Sequence, residues 1–186
     1  MSISGHSSPG GAADDISGGG VAIDALHYMV HQGFVFHISH TIAALANTAS
    51  HEILVKVPAS TYPHLHKHVT YVGAGDVDLD IFEGTTVSAD GTAITSHITN
   101  RNSSNTPGTL FYHTPTVTDD GTLIHDQWVP PTSSGTGGSH DGADASTGEE
   151  WLLAPSTNYL IRITNNSGDT IRVWEEILWY EIGATP

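Results

Sequence analysis

Hydrophobic and polar residues alternate along most of the chain, as they do in β-strands that bury one face. The clearest run covers 76–81, where three aspartates alternate with three aliphatic side chains. The same pattern recurs in four other segments, at 34–38, 51–57, 159–163 and 171–181. In the last of these, the adjacent acids Glu175 and Glu176 predict a β-bulge or a change of partner strand.

Turn signals separate these runs. The triplets at 89–91 and 119–121 both end in Asp-Gly, which supplies the positive-φ position of a tight hairpin, and 165–169 is a longer version of the same signal. Only 41–47 has a helix-forming composition, and it is too short to form a major helix. About eight or nine strands separated by turns predict an all-β protein with a jelly-roll-like antiparallel β-sandwich.

The 186 residues suit one domain that carries an arm. Residues 1–20 are rich in Gly and Ser and predict a flexible N-terminal arm. Residues 21–186 predict a single β-sandwich domain with a long loop at 130–148, where large apolar side chains are missing from the sequence. The arm is either a spacer or a segment that becomes ordered on a partner surface, and we favour the second because the sequence becomes apolar directly after it.

The charge balance limits the partners. The chain has 5 Lys and Arg residues against 20 Asp and Glu, a formal net charge of −15. Nucleic acid and a polybasic membrane anchor are therefore disfavoured, since both interactions need many cations. With no cysteine, the sequence excludes disulfides, thiolate catalysis and cysteine-based metal sites. Neither a membrane span nor a secretory signal is expected.

The sharpest candidate for chemistry is a histidine run at 64–68. On a regular strand, His64, His66 and His68 would share one face, since side chains alternate with a period of two. Zn²⁺ or Ni²⁺ is one interpretation, with carboxylate ligands from a neighbouring strand at Asp76, Asp78 and Asp80. The other interpretations are a solvated strand face under a loop, a subunit contact or a pH-sensitive cluster.

Enzyme signatures are incomplete. The cupin metal motif needs a glutamate shortly after the second histidine, but the next glutamate after His66 is Glu83. Ser133 and Ser134 lack a Gly-x-Ser-x-Gly setting.

Acidic groups give no catalytic site either. The pairs at 149–150 and 175–176 are strand neighbours that point to opposite faces. The segment 140–144 lacks the oxygen spacing of a calcium loop. The sequence therefore assigns no catalytic, cofactor-binding or metal-binding residue, and we expect a non-enzyme without a cofactor.

An ordered series of short motifs runs through the second half of the chain. Its members are Ile-Phe-Glu-Gly-Thr-Thr-Val at 81–87, Asp-Gly-Thr at 90–92, Asn-Arg-Asn-Ser at 100–103, Tyr112, Pro-Thr-Val-Thr at 115–118, Gly-Thr at 121–122, the run at 155–165 and Trp-Tyr-Glu at 179–181. In order and spacing, over roughly 100 residues, the series resembles the small head decoration, or cement, proteins of tailed double-stranded DNA bacteriophages.

This resemblance implies a jelly-roll virion protein that binds the outer surface of a phage capsid and cements neighbouring major capsid proteins. It implies a homo-oligomer, either a dimer or a trimer, with no catalytic residues and no nucleic-acid or membrane partner. Its place would be the exterior of the capsid, after synthesis in the cytoplasm of the bacterial host. The symmetry axis, the capsid-contacting face and the host stay open at this point.

Two other functions stay open. A carbohydrate-binding β-sandwich module for host attachment would use strand aromatics to stack on sugars, although such residues more often lie in a core or a subunit interface. Those aromatics are Trp128, Trp151, Trp174, Trp179, Tyr159 and Tyr180. The second alternative is a cupin-like metal-dependent enzyme.

Within the matched motifs, Arg101 is one of few cationic residues. We expect it to anchor the 100–102 turn, either by an ion pair with Glu83 or by hydrogen bonds to turn carbonyls.

Overall fold

The structure is a computed structural model and describes residues 11–13, 20–22, 25–72, 76–129, 138–142 and 150–182. For 11–13, 20–22, 66–72, 138–142 and 182 it describes the backbone alone. One short helix, α1 (Ala25–Gln32), and sixteen strands lie in these residues. No helix in this part of the chain has the length and apolarity that a membrane crossing requires.

Two antiparallel sheets form the body of the protein. The front sheet has the order β12 (Thr122–Val129), β6 (Val77–Glu83), β15 (Asn158–Asn165), β4 (Ser50–Lys56), β10 (Leu110–His113) and β8 (Thr92–Ile94). The back sheet has the order β13 (Gly138–Gly142), β5 (Tyr62–Val72), β16 (Ile171–Ile182), β3 (Val35–Leu45) and β9 (His97–Ile98), and β14 (Trp151–Leu152) also pairs with β5. Two further pairs stand apart, β7 (Thr86–Ala89) with β11 (Thr116–Asp119) and β1 (Gly11–Ala13) with β2 (Gly20–Ala22).

The core lies between the front and back sheets and follows the predicted alternation. Its fully or almost fully buried side chains include Phe36, Ile38, Ile53, Val55, Val77, Leu79, Ile161, Ile163, Val173, Ile177 and Trp179. The strands that hold these residues contribute every second residue to this layer, which is the arrangement that stabilises two packed sheets. The predicted all-β sandwich is therefore confirmed.

A two-stranded strap, formed by β7 and β11, crosses the outer face of the front sheet. The pairs Glu83–Thr122, Thr86–Asp119, Ala89–Thr116 and Thr92–His113 all keep one register. One long ribbon therefore begins at one side of the sheet as β6 and β12, leaves it as the strap, and returns at the other side as β8 and β10. Under the strap, Leu54 and Leu160 of the central strands are fully buried, although they point away from the core.

Four corners carry the ribbon into and out of the strap, and each holds a residue with positive φ. These residues are Gly84, Gly91, Thr114 and Gly121. Gly91 and Gly121 are also tightly packed, since a Cβ at either position would lie 2.3 Å from a carbonyl oxygen, that of His113 or of Glu83. The Asp-Gly signals thus supply the predicted positive φ, but the prediction of hairpins is wrong: both lie at corners between sheets, because β7 and β11 pair with each other.

Several local predictions were wrong. Residues 41–45 continue strand β3, so tertiary pairing with β16 overrides the helix-forming composition of that segment. The bulge expected at Glu175 and Glu176 is absent, since both keep regular pairing, and the shifts of β16 fall at 171–173 and 178–179.

The two segments predicted to lack strands both contain one. Within the predicted loop at 130–148, Gly138–Gly142 forms β13 beside β5. Within the predicted arm, Gly11–Ala13 pairs with Gly20–Ala22. The other residues of both segments lie outside the described part of the chain.

Candidate functional site

The predicted metal site of histidines and aspartates does not assemble. The histidine run lies on β5 in the back sheet, whereas Asp78 and Asp80 lie on β6 in the front sheet. Asp78 accepts a hydrogen bond from Asn166 Nδ2 at 2.7 Å, and Asp76 accepts one from Trp128 Nε1 at 2.6 Å. These carboxylates therefore belong to surface contacts of the front sheet.

The histidine run itself is divided by a β-bulge. His64 pairs with Tyr180, and after a shift in register His68 pairs with Ile177, so the strict two-residue alternation is broken between them. His64 stacks on Tyr180 with ring centroids 4.4 Å apart, and both rings bind Glu150 Oε1. The side chains of 66–72 lie outside the described residues. For the segment 140–144, which was compared with a calcium loop, the structure describes only the backbone of 140–142.

A different histidine cluster, which the sequence did not predict, lies between the two sheets. It consists of His40, His51, His113 and Glu175. Ring centroids lie 5.1 Å apart for His40 and His51, and 4.5 Å apart for His40 and His113, with the planes roughly stacked. Glu175 is only 1% exposed and its Oε2 lies 3.3 Å from His51 Nε2, which is also buried.

Both sheets contribute to this cluster. In the back sheet, Glu175 on β16 is the register partner of His40 on β3. In the front sheet, His51 and His113 lie on the neighbouring strands β4 and β10, on the face that holds Ile53. Burial and the neighbouring imidazoles of His51 and His113 lower the pKa of His40, against a smaller opposing effect of Glu175.

The geometry of the cluster favours proton chemistry over metal binding. Stacked rings direct their nitrogen atoms along parallel planes, whereas a metal ion needs several nitrogens that converge on one point. Among the described residues, no group of three or more His, Asp or Glu side chains is arranged to hold a metal ion.

The sequence held a usable signal for part of this cluster. His51 and Glu175 occupy the buried phase of their alternating runs, in step with Ile53 and with Val173. A polar residue in a buried phase indicates an internal polar site. The pairing of β3 with β16, which brings in His40, could not be read from the alternation.

Ion pairs hold the strap on the front sheet. Asp90, at the corner after β7, binds Lys56 Nζ at 2.8 Å. Asp120, at the corner after β11, accepts hydrogen bonds from Arg162 Nη1 and Nη2, and Arg162 Nε donates to Glu52 at 2.8 Å. The Arg162 hydrogen bond lowers the pKa of Asp120, and the same bond raises the pKa of Arg162.

A polar groove of about 590 Å³ lies between the strap and the front sheet. Its walls are strap residues 115–120 together with Glu52 and Arg162. Because Arg162 already binds two carboxylates, its charge is balanced within the protein.

The outer surface combines acids with a few exposed apolar side chains. Burial, followed by repulsion from Asp126 and Asp78, raises the pKa of Asp80. At the edge strand β12, Trp128 is 60% exposed and Leu123 is 48% exposed. Together they give this edge strand two exposed apolar side chains that are candidates for surface contact, as is Leu152 of β14 at 66% exposure.

The predicted anchoring of the 100–102 turn by Arg101 is not seen in either form. Arg101 Nη1 instead donates a long hydrogen bond of 3.4 Å to the carbonyl of Ile98, the last residue of β9 before the turn. The alternative pairing with Glu83 does not form, because Glu83 Oε2 accepts the Tyr159 hydroxyl at 3.0 Å.

The strand aromatics divide between core and surface. Trp179 and Tyr159 are buried, as expected for strand aromatics, whereas Trp128 is exposed. Trp151 packs edge-on against His125, with ring centroids 5.6 Å apart, and so joins the edges of the two sheets.

Comparisons with known proteins identify no relative. No protein-family model matches the chain, and no curated protein matches it.

Proposed function

We propose that this protein is a non-enzymatic head decoration protein of a tailed bacteriophage, which binds the outer surface of the capsid and cements neighbouring major capsid proteins. The proposal rests on the ordered motif series, of which five members fall on the ribbon that forms the strap: 81–87, 90–92, Tyr112, 115–118 and 121–122. Stabilisation would follow from mass action, because a protein that binds only the assembled lattice shifts the equilibrium toward that lattice.

The motifs coincide with the positions that the ribbon most constrains. The 81–87 motif spans the corner at Gly84, the 90–92 motif holds Gly91, and the 121–122 motif begins at Gly121. Four further motifs also have structural roles. Tyr112 lies on β10, 115–118 leads into β11, 155–165 contains the central strand β15, and 179–181 contains the buried Trp179 and Glu181. Motifs that hold the corners of one ribbon are stronger support for kinship than the same motifs scattered over unrelated loops.

The surface chemistry is compatible with this proposal. The formal net charge of −15 keeps the chain soluble and gives it little attraction to the packaged genome. The exposed Trp128 and Leu123 on edge strand β12 provide apolar anchors of the kind that dominate protein interfaces.

Co-sedimentation tests the proposal. Heads of the phage that carries this gene are assembled without the protein, and the purified chain is added to both expanded heads and unexpanded proheads. We expect saturable binding to expanded heads and a higher temperature of head disruption. A bound amount that does not saturate, or that equals the amount on unrelated particles, would contradict the proposal.

The N-terminal arm has a separate test. A variant that lacks residues 2–20 is compared with the full chain for occupancy on the same heads. We expect reduced occupancy, because an arm that becomes ordered on the lattice adds contacts. Unchanged occupancy would show that the arm does not contribute to the interface, and the main proposal would not be affected.

A carbohydrate-binding module for host attachment is the second candidate, and the exposure of Trp128 favours it. An exposed indole, held by its hydrogen bond to Asp76, is a surface on which a sugar ring can stack. A glycan array separates the two functions. If the wild type binds a glycan, Trp128→Ser does not, and the wild type fails to bind heads, the carbohydrate-binding function would replace the capsid proposal.

A further inference from the structure

The histidine cluster, in which His51 and Glu175 are buried and His40 and His113 are half-buried, holds more imidazoles than carboxylates. Three imidazoles, those of His40, His51 and His113, face the single carboxylate of Glu175. One imidazolium can be balanced by that carboxylate, but a second cannot. Two imidazolium rings whose centroids lie about 5 Å apart repel each other, and their partial burial weakens the screening of this repulsion by solvent.

The described register partners of the two front-sheet histidines carry no charge that could offset this. Among the described side chains, β15 places Ile163 and β8 places Thr92 beside the two front-sheet histidines. On the back sheet, β5 runs beside Glu175, and its residues 66–72 are described by their backbone alone. The electrostatic influences on His40 come from His51, His113 and Glu175.

The cluster is also coupled to the strap. His113 directly precedes Thr114, the corner residue with φ 53° at which the ribbon leaves the front sheet. The carbonyl oxygens of His113 and Thr114 are the atoms on which Gly91 packs. Thr114 N–H donates to the Glu52 carbonyl at 3.1 Å, so a shift of His113 acts directly on the corner that holds the strap.

We propose that this cluster is a proton-sensitive latch between the two sheets: acidification gives it more positive charge than Glu175 balances, and the strap corner at Thr114 opens before the rest of the fold. The proposal stands apart from the capsid function, since it concerns the stability of the chain alone.

The direction of the pH dependence follows from His40. Its pKa is lowered in the folded protein, whereas in the unfolded chain it lies near the ordinary value of about 6.5. As the pH falls below about 6.5, the unfolded chain therefore takes up a proton that the folded protein refuses. Stability is fully present above this pH and is lost as the pH falls toward the folded pKa.

Urea unfolding between pH 7.5 and 5.0 tests the latch. For the wild type, we expect the unfolding equilibrium constant to rise by up to about tenfold per pH unit for each extra proton bound on unfolding. His40→Phe keeps an aromatic ring that can stack but cannot titrate, and His40→Gln keeps a polar side chain that cannot titrate. The unfolding equilibrium constant of both variants should therefore change less with pH than that of the wild type. If both unfold at pH 7.5, His113→Gln is measured in the same way.

His97→Gln is the matched control. His97 also contacts another histidine, His37 of β3, at a centroid distance of 5.7 Å, but it is exposed and lies outside the cluster. It should keep the wild-type slope. The proposal would be overturned if the free energy of unfolding changed equally with pH in the wild type and the His40 variants. It would also be overturned if His97→Gln weakened this pH dependence as much as the His40 variants do.

Hydrogen exchange tests where the fold opens first. After correction for the intrinsic rate, peptides that cover 86–94 and 110–122 should exchange faster at pH 5.5 than at pH 7.5 in the wild type, and not in His40→Phe. A uniform acceleration across the chain, or none at these peptides, would contradict local opening at the strap.

Discussion

Asp120 and Arg162 join the strap to the sheet that it crosses. Two guanidinium nitrogens, Nη1 and Nη2, donate to the two carboxylate oxygens of Asp120 at 2.8 and 2.6 Å. This parallel pair fixes direction as well as distance, which a lysine could not do. Because Arg162 lies on the central strand β15, the contact sets where the strap lies over the middle of the front sheet.

Asp120→Asn should therefore loosen the strap. Asp120 is 41% exposed, so solvent screens the pair, and we expect a loss of about 1 kcal/mol in the free energy of unfolding. Asp119→Asn is the matched control, because it removes one neighbouring charge but keeps the oxygen that accepts the Gly121 N–H. Equal losses in the two variants, measured by urea unfolding, would show that net charge and not the clamp is responsible.

The same clamp predicts an acid dependence. The pKa of Asp120 is lowered in the folded protein, so its contribution is complete above the unfolded value of about 3.9 and is lost as the pH falls below it. Stability measured from pH 5 to pH 2 should fall less steeply in Asp120→Asn than in the wild type. This window lies below that of the histidine cluster, so the two effects can be separated.

Two glycine substitutions separate backbone strain from close packing. Gly91 and Gly168 both have positive φ, but a Cβ at Gly91 would lie 2.3 Å from a carbonyl oxygen, whereas a Cβ at Gly168 would meet nothing within 4 Å. Gly168→Ala should cost about 1 kcal/mol from strain alone. Gly91→Ala should cost at least about twice as much in urea unfolding. Similar costs would mean that the corner can shift to accept a methyl group.

The buried carboxylate of Glu181 predicts a large and specific effect. It accepts hydrogen bonds from the backbone N–H groups of Gly108 and Thr109 and from Trp179 Nε1. Glu181→Gln directs an amide NH₂ toward these donors, and we expect a loss of about 2 kcal/mol. Asp169→Asn, at an exposed position, should leave the free energy of unfolding unchanged. An unchanged free energy of unfolding in Glu181→Gln would contradict the arrangement in which three donors bind this carboxylate.

Tyr180 should titrate late. Burial, followed by the hydrogen bond to Glu150, raises its pKa to about 12. In an absorbance titration at 295 nm, Tyr180→Phe should remove a component that appears near pH 12, and Glu150→Gln should move that component to lower pH. Since the folded pKa is raised, stability should fall as the pH rises from about 10 toward 12. A wild-type curve with no such component would contradict the contact.

The alternation of the strands was enough to predict the sandwich and its core. In the central strands, Ile53, Leu79 and Ile161 all lie where the period of two places them. The strap could not be predicted, because its strands are short and its neighbours are distant in sequence. The Asp-Gly signals at 90–91 and 120–121 favour hairpins locally, and only the pairing of β7 with β11 turns them into corners.

The candidate site shows the same limit. His64, His66 and His68 were conspicuous because they lie close in sequence, but a bulge interrupts their alternation and their supposed acidic partners lie in the other sheet. The cluster that does form draws its members from four strands. Its assembly depends on which strands pair and which sheets face each other, and alternation within a strand carries no information about either.

The matched lengths of the two arms of the ribbon limit how this sequence can change. Segments 83–92 and 113–122 are of equal length and pair at both ends and in the strap, with one local register irregularity at Val117, which pairs with Val87. A residue inserted into one segment alone would move every later pair to the opposite face or force out a bulge. Insertions and deletions in these two distant stretches should therefore be tolerated only as matched pairs, so that their equal spacing serves as a signature for finding relatives whose side chains have diverged.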